Sequence, residues 1–301
     1  MKSQNPTLGL VAAPPTAFLE DGSIDLAFVA PMARHLEDQG AAGAFVNGTT
    51  GEGASLSTEE RAAQAEAWRR SLPDTMRLFV HAGHTSLPEA RRLAAHAQEI
   101  GADAVAVIAP YFYKPSNLAA VVDWCAAIAS AAPKLPFYFY HMPSMSGVSL
   151  SVARFLEAAG PRIPNLAGIK FTFEAMADYQ EALRLENGRY DVLWGRDEML
   201  LGALAEGARG GVGSTYNVAA PIYLRLIHAF EQGDMETARK HQAEACELIQ
   251  AMIDSGHFFG ALKYLLHAQG LPISPRMRLP NATAPAQAFA ALDQWAERLK
   301  K

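Results

Sequence analysis

Cysteine is nearly missing from this chain. Its 301 residues hold only Cys125 and Cys246, both in alanine-rich helical patterns and neither in a Cys-x-x-Cys or Cys-x-x-His spacing. That argues against a disulfide framework and a cysteine zinc site, and it suits a reducing, cytoplasmic setting. No run of about 18 apolar residues occurs, so no membrane-spanning helix is expected. Met1–Pro6 lacks the apolar core of a secretory signal. An excess of either charge is lacking too. A net charge of −5 gives no electrostatic footing for nucleic acid or a membrane surface. No Gly-x-Gly-x-x-Gly stands between the first strand and the first helix, where a dinucleotide site needs it. Apart from a general richness in alanine, there is no repeat and no low-complexity segment.

What the chain has is apolar substance, half of its residues, with charged residues near a fifth. That is enough for a large core. Short apolar runs recur at 9–13, 44–47, 77–81, 104–108, 137–140, 166–170, 191–194 and 211–214. Helical patterns separate them at 26–39, 58–70, 87–100, 118–131, 152–159, 176–185 and 199–208. Eight strands, each followed by a helix with few residues to spare, predict an α/β fold of the (β/α)₈ TIM-barrel type. An open doubly wound sheet is the alternative. Residues from about Pro221 exceed what an eighth helix requires. They predict helices at 222–231, 235–254 and 258–269, a connector marked by Pro272, Pro275 and Pro280, and a last helix to Lys301. The expected organisation is therefore a barrel over 1–220 and a helical extension over 221–301, packed on the barrel.

Active sites of such barrels form at the C-terminal ends of the strands. Those ends carry chemistry here. Leu166-Ala-Gly-Ile-Lys-Phe-Thr172 is an apolar strand pattern finishing on Lys170. A lysine there is either a snorkelling edge residue or a desolvated amine able to attack a carbonyl. Strand alternation aims Thr172 to the same side. After the second strand, Asn47-Gly-Thr-Thr-Gly-Glu-Gly53 offers hydroxyls and free N–H groups suited to an anion such as a carboxylate, or simply a glycine-rich turn before the helix cap Ser57-Thr-Glu-Glu60. The fifth strand exits through Tyr140, His141 and Met142, with His141 expected to be structural because no partner stands at ligand spacing. The seventh exits through Gly195-Arg-Asp-Glu198, the eighth through Gly213-Ser-Thr-Tyr-Asn217. Asp197 and Glu198 could equally complement a helix dipole, and Ser214 could be an N-cap. Together these groups place an amine, a phenol, hydroxyls and carboxylates on one rim. An imine formed by the amine would be an electron sink for making or breaking the neighbouring carbon–carbon bond.

Gly48-Thr-Thr-Gly-Glu52, Tyr140/Pro143/Gly147, Gly168-Ile-Lys170 and Gly213-Ser-Thr-Tyr-Asn217 resemble, in order, the motifs of the dihydrodipicolinate synthase/N-acetylneuraminate lyase family of pyruvate-dependent class I aldolases. The resemblance runs from about Thr7 to Leu279. It implies a barrel with a C-terminal helical extension, usually a homotetramer, working without metal or organic cofactor on a small keto acid or sugar acid. Carried over by motif, it implies that Lys170 is the Schiff-base lysine and Tyr140 the proton-relay tyrosine. Thr49 and Thr50 would bind the pyruvate carboxylate, with Thr50 linking Tyr140 to the relay.

Within the family the details resemble the sialic-acid lyase branch. Synthases that bind aspartate semialdehyde carry an arginine two residues after the proline of the fifth-strand exit, and this chain has Met145 there. That substitution removes a bidentate clamp for a second carboxylate. The branch implies that Gly195, Asp197, Glu198, Gly213 and Ser214 face the polyhydroxyl tail and that Thr172 assists at the reacting hydroxyl. The expected reaction is reversible cleavage of N-acetylneuraminate to pyruvate and N-acetylmannosamine. The alternatives are another aldolase or dehydratase acting on a 2-keto-3-deoxy sugar acid, dihydrodipicolinate synthase behind them, and a non-catalytic relative, against which Lys170 and Tyr140 both argue. One departure is Phe112, where many members carry a tyrosine; either Tyr111 or Tyr113 substitutes for its hydroxyl, or this branch completes its relay differently.

Overall fold

A computed structural model describes residues 7–300 of the chain. Met1–Pro6, which lack a signal-like core, and Lys301, the expected end of the last helix, lie outside the described residues.

Eight parallel strands close into a barrel in sequence order. They are β1 (Gly9–Ala12), β2 (Gly43–Val46), β3 (Arg77–His81), β4 (Ala104–Ile108), β5 (Phe137–His141), β6 (Leu166–Phe171), β7 (Asp191–Trp194) and β8 (Gly210–Gly213). Around and beyond them lie α1 (Val29–Asp38), α2 (Thr58–Ser71), α3 (Leu87–Glu99), α4 (Leu118–Ala129), the short α5 (Pro143–Ser146), α6 (Val152–Ala159), α7 (Met176–Arg184), α8 (Leu200–Ala205), α9 (Tyr216–Glu231), α10 (Met235–Asp254), α11 (Phe258–Ala268) and α12 (Asp293–Leu299).

Both faces of the strands are apolar because both are covered. One alternate set, with Val11, Phe45, Phe79, Ala106, Tyr138, Leu193 and Val212, fills the barrel interior. The other, with Leu10, Val46, Val80, Val107, Phe139, Ile169 and Trp194, packs under the helices. Register decides what reaches the top of the barrel. Tyr140 on β5 pairs directly with Lys170 on β6, so the two side chains emerge on the same inward face.

Local signals set the loops that follow. Ser57 and Glu60 cap α2 reciprocally: the Ser57 hydroxyl accepts from the Glu60 N–H at 3.1 Å, and the Glu60 carboxylate accepts from the Ser57 N–H at 2.9 Å. The helix expected to begin at Ile222 instead starts at Tyr216, so residues 220 and 221 lie inside α9. Pro221 sits within that helix and supplies no N–H to the Asn217 carbonyl. The His35 ring donates to that carbonyl instead, at 2.9 Å. Beyond α9, α10 packs along it, and α11 packs against both.

Candidate active site

A cavity of about 310 Å³ opens at the C-terminal end of the strands. Lys170, Tyr140, Thr172, Thr49, Thr50, Gly195, Asp197, Glu198, Gly213 and Ser214 all line it. These are the residues the sequence singled out, delivered by β2, β5, β6, β7 and β8.

Lys170 is 5% exposed. Its ammonium lies 4.0 Å from the ring centre of Phe45 and 4.3 Å from that of Tyr140, and it makes no hydrogen bond among the described residues. Burial drives its pKa down to about 7, opposed by the charge of Asp197. Near neutrality a large share of the amine is therefore unprotonated and nucleophilic.

Tyr140 is buried edge-on against Phe45. Its hydroxyl lies 3.3 Å from Thr49 Oγ1 and donates to the Met142 thioether sulfur at 2.8 Å. Burial pushes its pKa up to about 12. The hydroxyl beside the phenol is therefore Thr49's, where the resemblance had implied Thr50's. Thr50 is turned toward β8 and shares a 2.7 Å hydrogen bond with Ser214. Adjacent residues of a turn point apart, and left-handed Asn47 (φ 61°) and Glu52 (φ 53°) bound this one.

Asp197 and Glu198, neighbours in sequence, have unlike surroundings. Asp197 is buried; its Oδ2 accepts from the backbone N–H of Thr215 at 2.8 Å and from the Thr215 hydroxyl at 2.6 Å. That hydroxyl in turn accepts from Tyr223 at 2.6 Å. Asp197 Oδ1 is buried without a partner, and burial raises the carboxyl to about 6 against the pull of the Thr215 hydrogen bonds. Gly213 makes room for it: a Cβ there would stand 1.8 Å from Oδ1. Gly195 does the same for Thr172, whose Oγ1 would meet a Cβ at 2.0 Å. Glu198 is only half-buried and pairs with Arg196 at 2.8 Å, while Arg196 also reaches Glu174 at 2.8 Å. Neither acid caps a long helix; they form one 3₁₀ turn before α8.

Several lining residues were not anticipated. Arg196, Met142 and Ser144 flank the expected groups, and Ile249, Ile253, Phe258 and Phe259 come from α10 and α11. The signal was available in part. Ile249 and Ile253 stand one helical turn apart, and Ile253 remains 52% exposed. His141, expected to be structural, is buried among Phe139, Phe171 and Phe173 with both ring nitrogens unpartnered, and burial lowers it to about 4. Tyr111 lines a neighbouring cavity together with Met145, while Phe112 and Tyr113 are exposed and stacked edge-on. Neither tyrosine lines the cavity that holds Lys170.

The family model described as "Dihydrodipicolinate synthetase family" matches residues 6–298. A curated relative, N-acetylneuraminate lyase of Mus musculus, is 39% identical over 280 residues, covering 91% of this chain and 88% of the relative. The solved structure of Proteus mirabilis N-acetylneuraminate lyase superposes with a TM-score of 0.94 at 38% identity, covering 98% of this chain and 99% of that one. A Ruminococcus gnavus sialic acid aldolase, solved as a catalytic lysine mutant, superposes with a TM-score of 0.93 at 25% identity, covering 99% and 97%.

Proposed function

The chain belongs to the dihydrodipicolinate synthetase family, and on that premise we propose that it cleaves N-acetylneuraminate to pyruvate and N-acetylmannosamine through an imine on Lys170. The observation that carries the reading is a buried amine with no anionic partner in contact, at the floor of a cavity walled by hydroxyls and carboxylates. The likeness to lyases across nine-tenths of the chain supports the substrate.

The steps follow from the groups present. Unprotonated Lys170 adds to the keto carbon of the open-chain sugar acid, and loss of water leaves an iminium. Hydroxyls and N–H groups of the loop carrying Thr49 and Thr50 hold the adjacent carboxylate. Deprotonation of the hydroxyl at C4 then breaks the C3–C4 bond; the aldehyde N-acetylmannosamine departs and the electron pair rests in an enamine. Protonation at C3 and addition of water release pyruvate and restore the amine. With a pKa of about 12, the Tyr140 phenol is protonated at rest. It serves as a relay in which the substrate carboxylate takes up and returns the proton, replacing the weak thioether acceptor of Met142. Thr172 faces the reacting hydroxyl. Asp197, Glu198 and Ser214 hold the polyol, with Gly195 and Gly213 leaving room for the side chains of Thr172 and Asp197.

The proposal extends to a homotetramer in the cytoplasm. The exposed Phe112–Tyr113 pair offers an apolar surface for subunit contact, and both cysteines are free thiols. Pyruvate release measured across a panel of keto-sugar acids tests the function. N-acetylneuraminate is expected to be the best substrate. No cleavage of it, with cleavage of another 2-keto-3-deoxy acid, would replace the reading with a broader aldolase.

A further inference from the structure

The loop that carries Thr49 and Thr50 has no regular structure to hold it in place. Asn47 and Glu52 both adopt left-handed backbone, which is strained for residues with a side chain. Two local bonds close the turn, from the Glu52 N–H to the Thr49 carbonyl and from the Gly53 N–H to the Gly48 carbonyl, each 3.0 Å. They define its shape but not where it sits against β5 and β6.

Barrel-side ties hold it in part, with the Thr16 hydroxyl donating to the Gly51 carbonyl at 2.6 Å, Asn47 Nδ2 to the Arg61 carbonyl at 2.9 Å, and Thr50 bonded to Ser214 at 2.7 Å. The side chain of Glu52 adds the tie to the C-terminal extension. That carboxylate and the ammonium of Lys263 are both fully buried, with Lys263 Nζ donating to Glu52 Oε1 at 2.7 Å. Lys263 donates again to the Arg276 carbonyl at 2.6 Å and lies 4.6 Å from the ring centre of Phe18. The second oxygen of Glu52 accepts from the Arg278 backbone N–H at 3.1 Å and from Asn281 Nδ2 at 3.3 Å. These donors come from α11 and the connector after it. A second tie runs alongside: the Arg278 guanidinium pairs with the Glu60 carboxylate at 2.6 Å and donates to the Ser55 carbonyl at 3.2 Å.

We propose that Glu52 and Lys263 form a positioning pair through which the C-terminal extension places Thr49 and Thr50 and thereby sets affinity for the keto-acid carboxylate. The proposal rests on the assignment of those threonines made above. Stability alone is a weak reason for such a pair, because two buried charges are often no better than two well-packed apolar residues. What the pair does provide is direction. A carboxylate with three donors of fixed geometry allows one loop position, whereas apolar contacts would tolerate several. Glu52 is two residues from Thr50, so a shift of its anchor moves both hydroxyls. The same helix presents Phe258 and Phe259 to the cavity, one turn before Lys263. One rigid element therefore sets the wall on the sugar side and the cradle on the carboxylate side.

The test is the pyruvate concentration that half-saturates borohydride trapping on Lys170, measured in Lys263→Met, Glu52→Asp and the double variant Glu52→Gln/Lys263→Met. All are compared at a temperature where circular dichroism shows them folded. Glu52→Asp keeps the charge but shortens the reach by one methylene. The half-saturating concentration is expected to rise about tenfold or more in Glu52→Asp and Lys263→Met, while the rate at saturation changes far less. The double variant removes the buried charges and is expected to recover thermal stability without recovering affinity. Lower melting temperatures with unchanged half-saturation would overturn the proposal and leave a purely structural ion pair. Should Lys263→Met fail to fold, Glu52→Asp decides by the same criterion. If the wild type traps no pyruvate, the functional assignment falls and takes this proposal with it. If the wild type traps normally and the variants match it, only the positioning role falls.

Discussion

Lys170 and Lys263 are both buried, and both hold their ammonium over an aromatic ring, at 4.0 Å from Phe45 and 4.6 Å from Phe18. They differ in what else is within reach. Lys263 has a carboxylate at 2.7 Å and a carbonyl at 2.6 Å; Lys170 has neither, and the charge of Asp197 acts on it without contact. Burial lowers both amines, but Glu52 works against that at Lys263, whereas Lys170 falls to about 7. Burial by itself does not make a lysine reactive. A withheld counter-ion matters as well, because with no contacting anion nothing close by offsets the cost of desolvating the ammonium.

The hardest way to break this comparison is Lys170→Met. Turnover is expected to fall by on the order of 10⁴–10⁶, the scale on which a covalent nucleophile is lost. The same change should raise the melting temperature. The folded pKa of about 7 lies below the value near 10.4 of a solvated lysine, so the unfolded chain binds more protons between the two. The cost of burying Lys170 is thus complete below pH 7 and fades as pH climbs toward 10. The stability gained by the variant should shrink over that window in thermal melts taken at several pH values.

Tyr140→Phe tests whether the phenol beside the amine is chemistry or packing. Cleavage should slow by about 10²–10⁴-fold while pyruvate is still trapped on Lys170. Equal turnover would return Tyr140 to the barrel core it shares with Phe45. Glu198→Gln moves outward to a half-exposed acid paired with Arg196. Loss of one charged hydrogen bond to a hydroxyl predicts a fall in kcat/KM for N-acetylneuraminate of roughly ten- to a hundredfold, with pyruvate trapping unaffected. A change of a few tenths of a kcal/mol in stability alone would reduce Glu198 to a dipole complement. Asp197→Asn should change the pH dependence of trapping rather than abolish it, a small but diagnostic effect. Removing that anion withdraws a charge that favours the ammonium of Lys170, so the pH at half-maximal trapping should drop below that of the wild type.

The two lysines also show what could be seen in the amino-acid sequence. Lys170 interrupts an apolar strand pattern, a local anomaly, and the barrel rule says where a strand end must lie. The eight runs gave the strands closely for the same reason: period and turn chemistry are local. Lys263 carries no such mark, because its partner is 211 residues away and a helical lysine ordinarily faces water. The choice between Thr49 and Thr50 as the neighbour of Tyr140 depended on a turn with left-handed Asn47 and Glu52, which motif order does not reveal. The helix expected from Ile222 begins at Tyr216 with Pro221 inside it, because His35, far off in sequence, satisfies the carbonyl that Pro221 leaves free. Phe258 and Phe259 were legible as helix but not as cavity wall, since that depends on where the start of α11 meets the barrel.

Reduction of the wild-type protein with borohydride in the presence of pyruvate, followed by peptide mapping, tests the central contrast most directly. The expected result is one reduced pyruvyl adduct, on the peptide containing Lys170, and none on that containing Lys263. An adduct on Lys263, or turnover with no adduct on Lys170, would contradict the account.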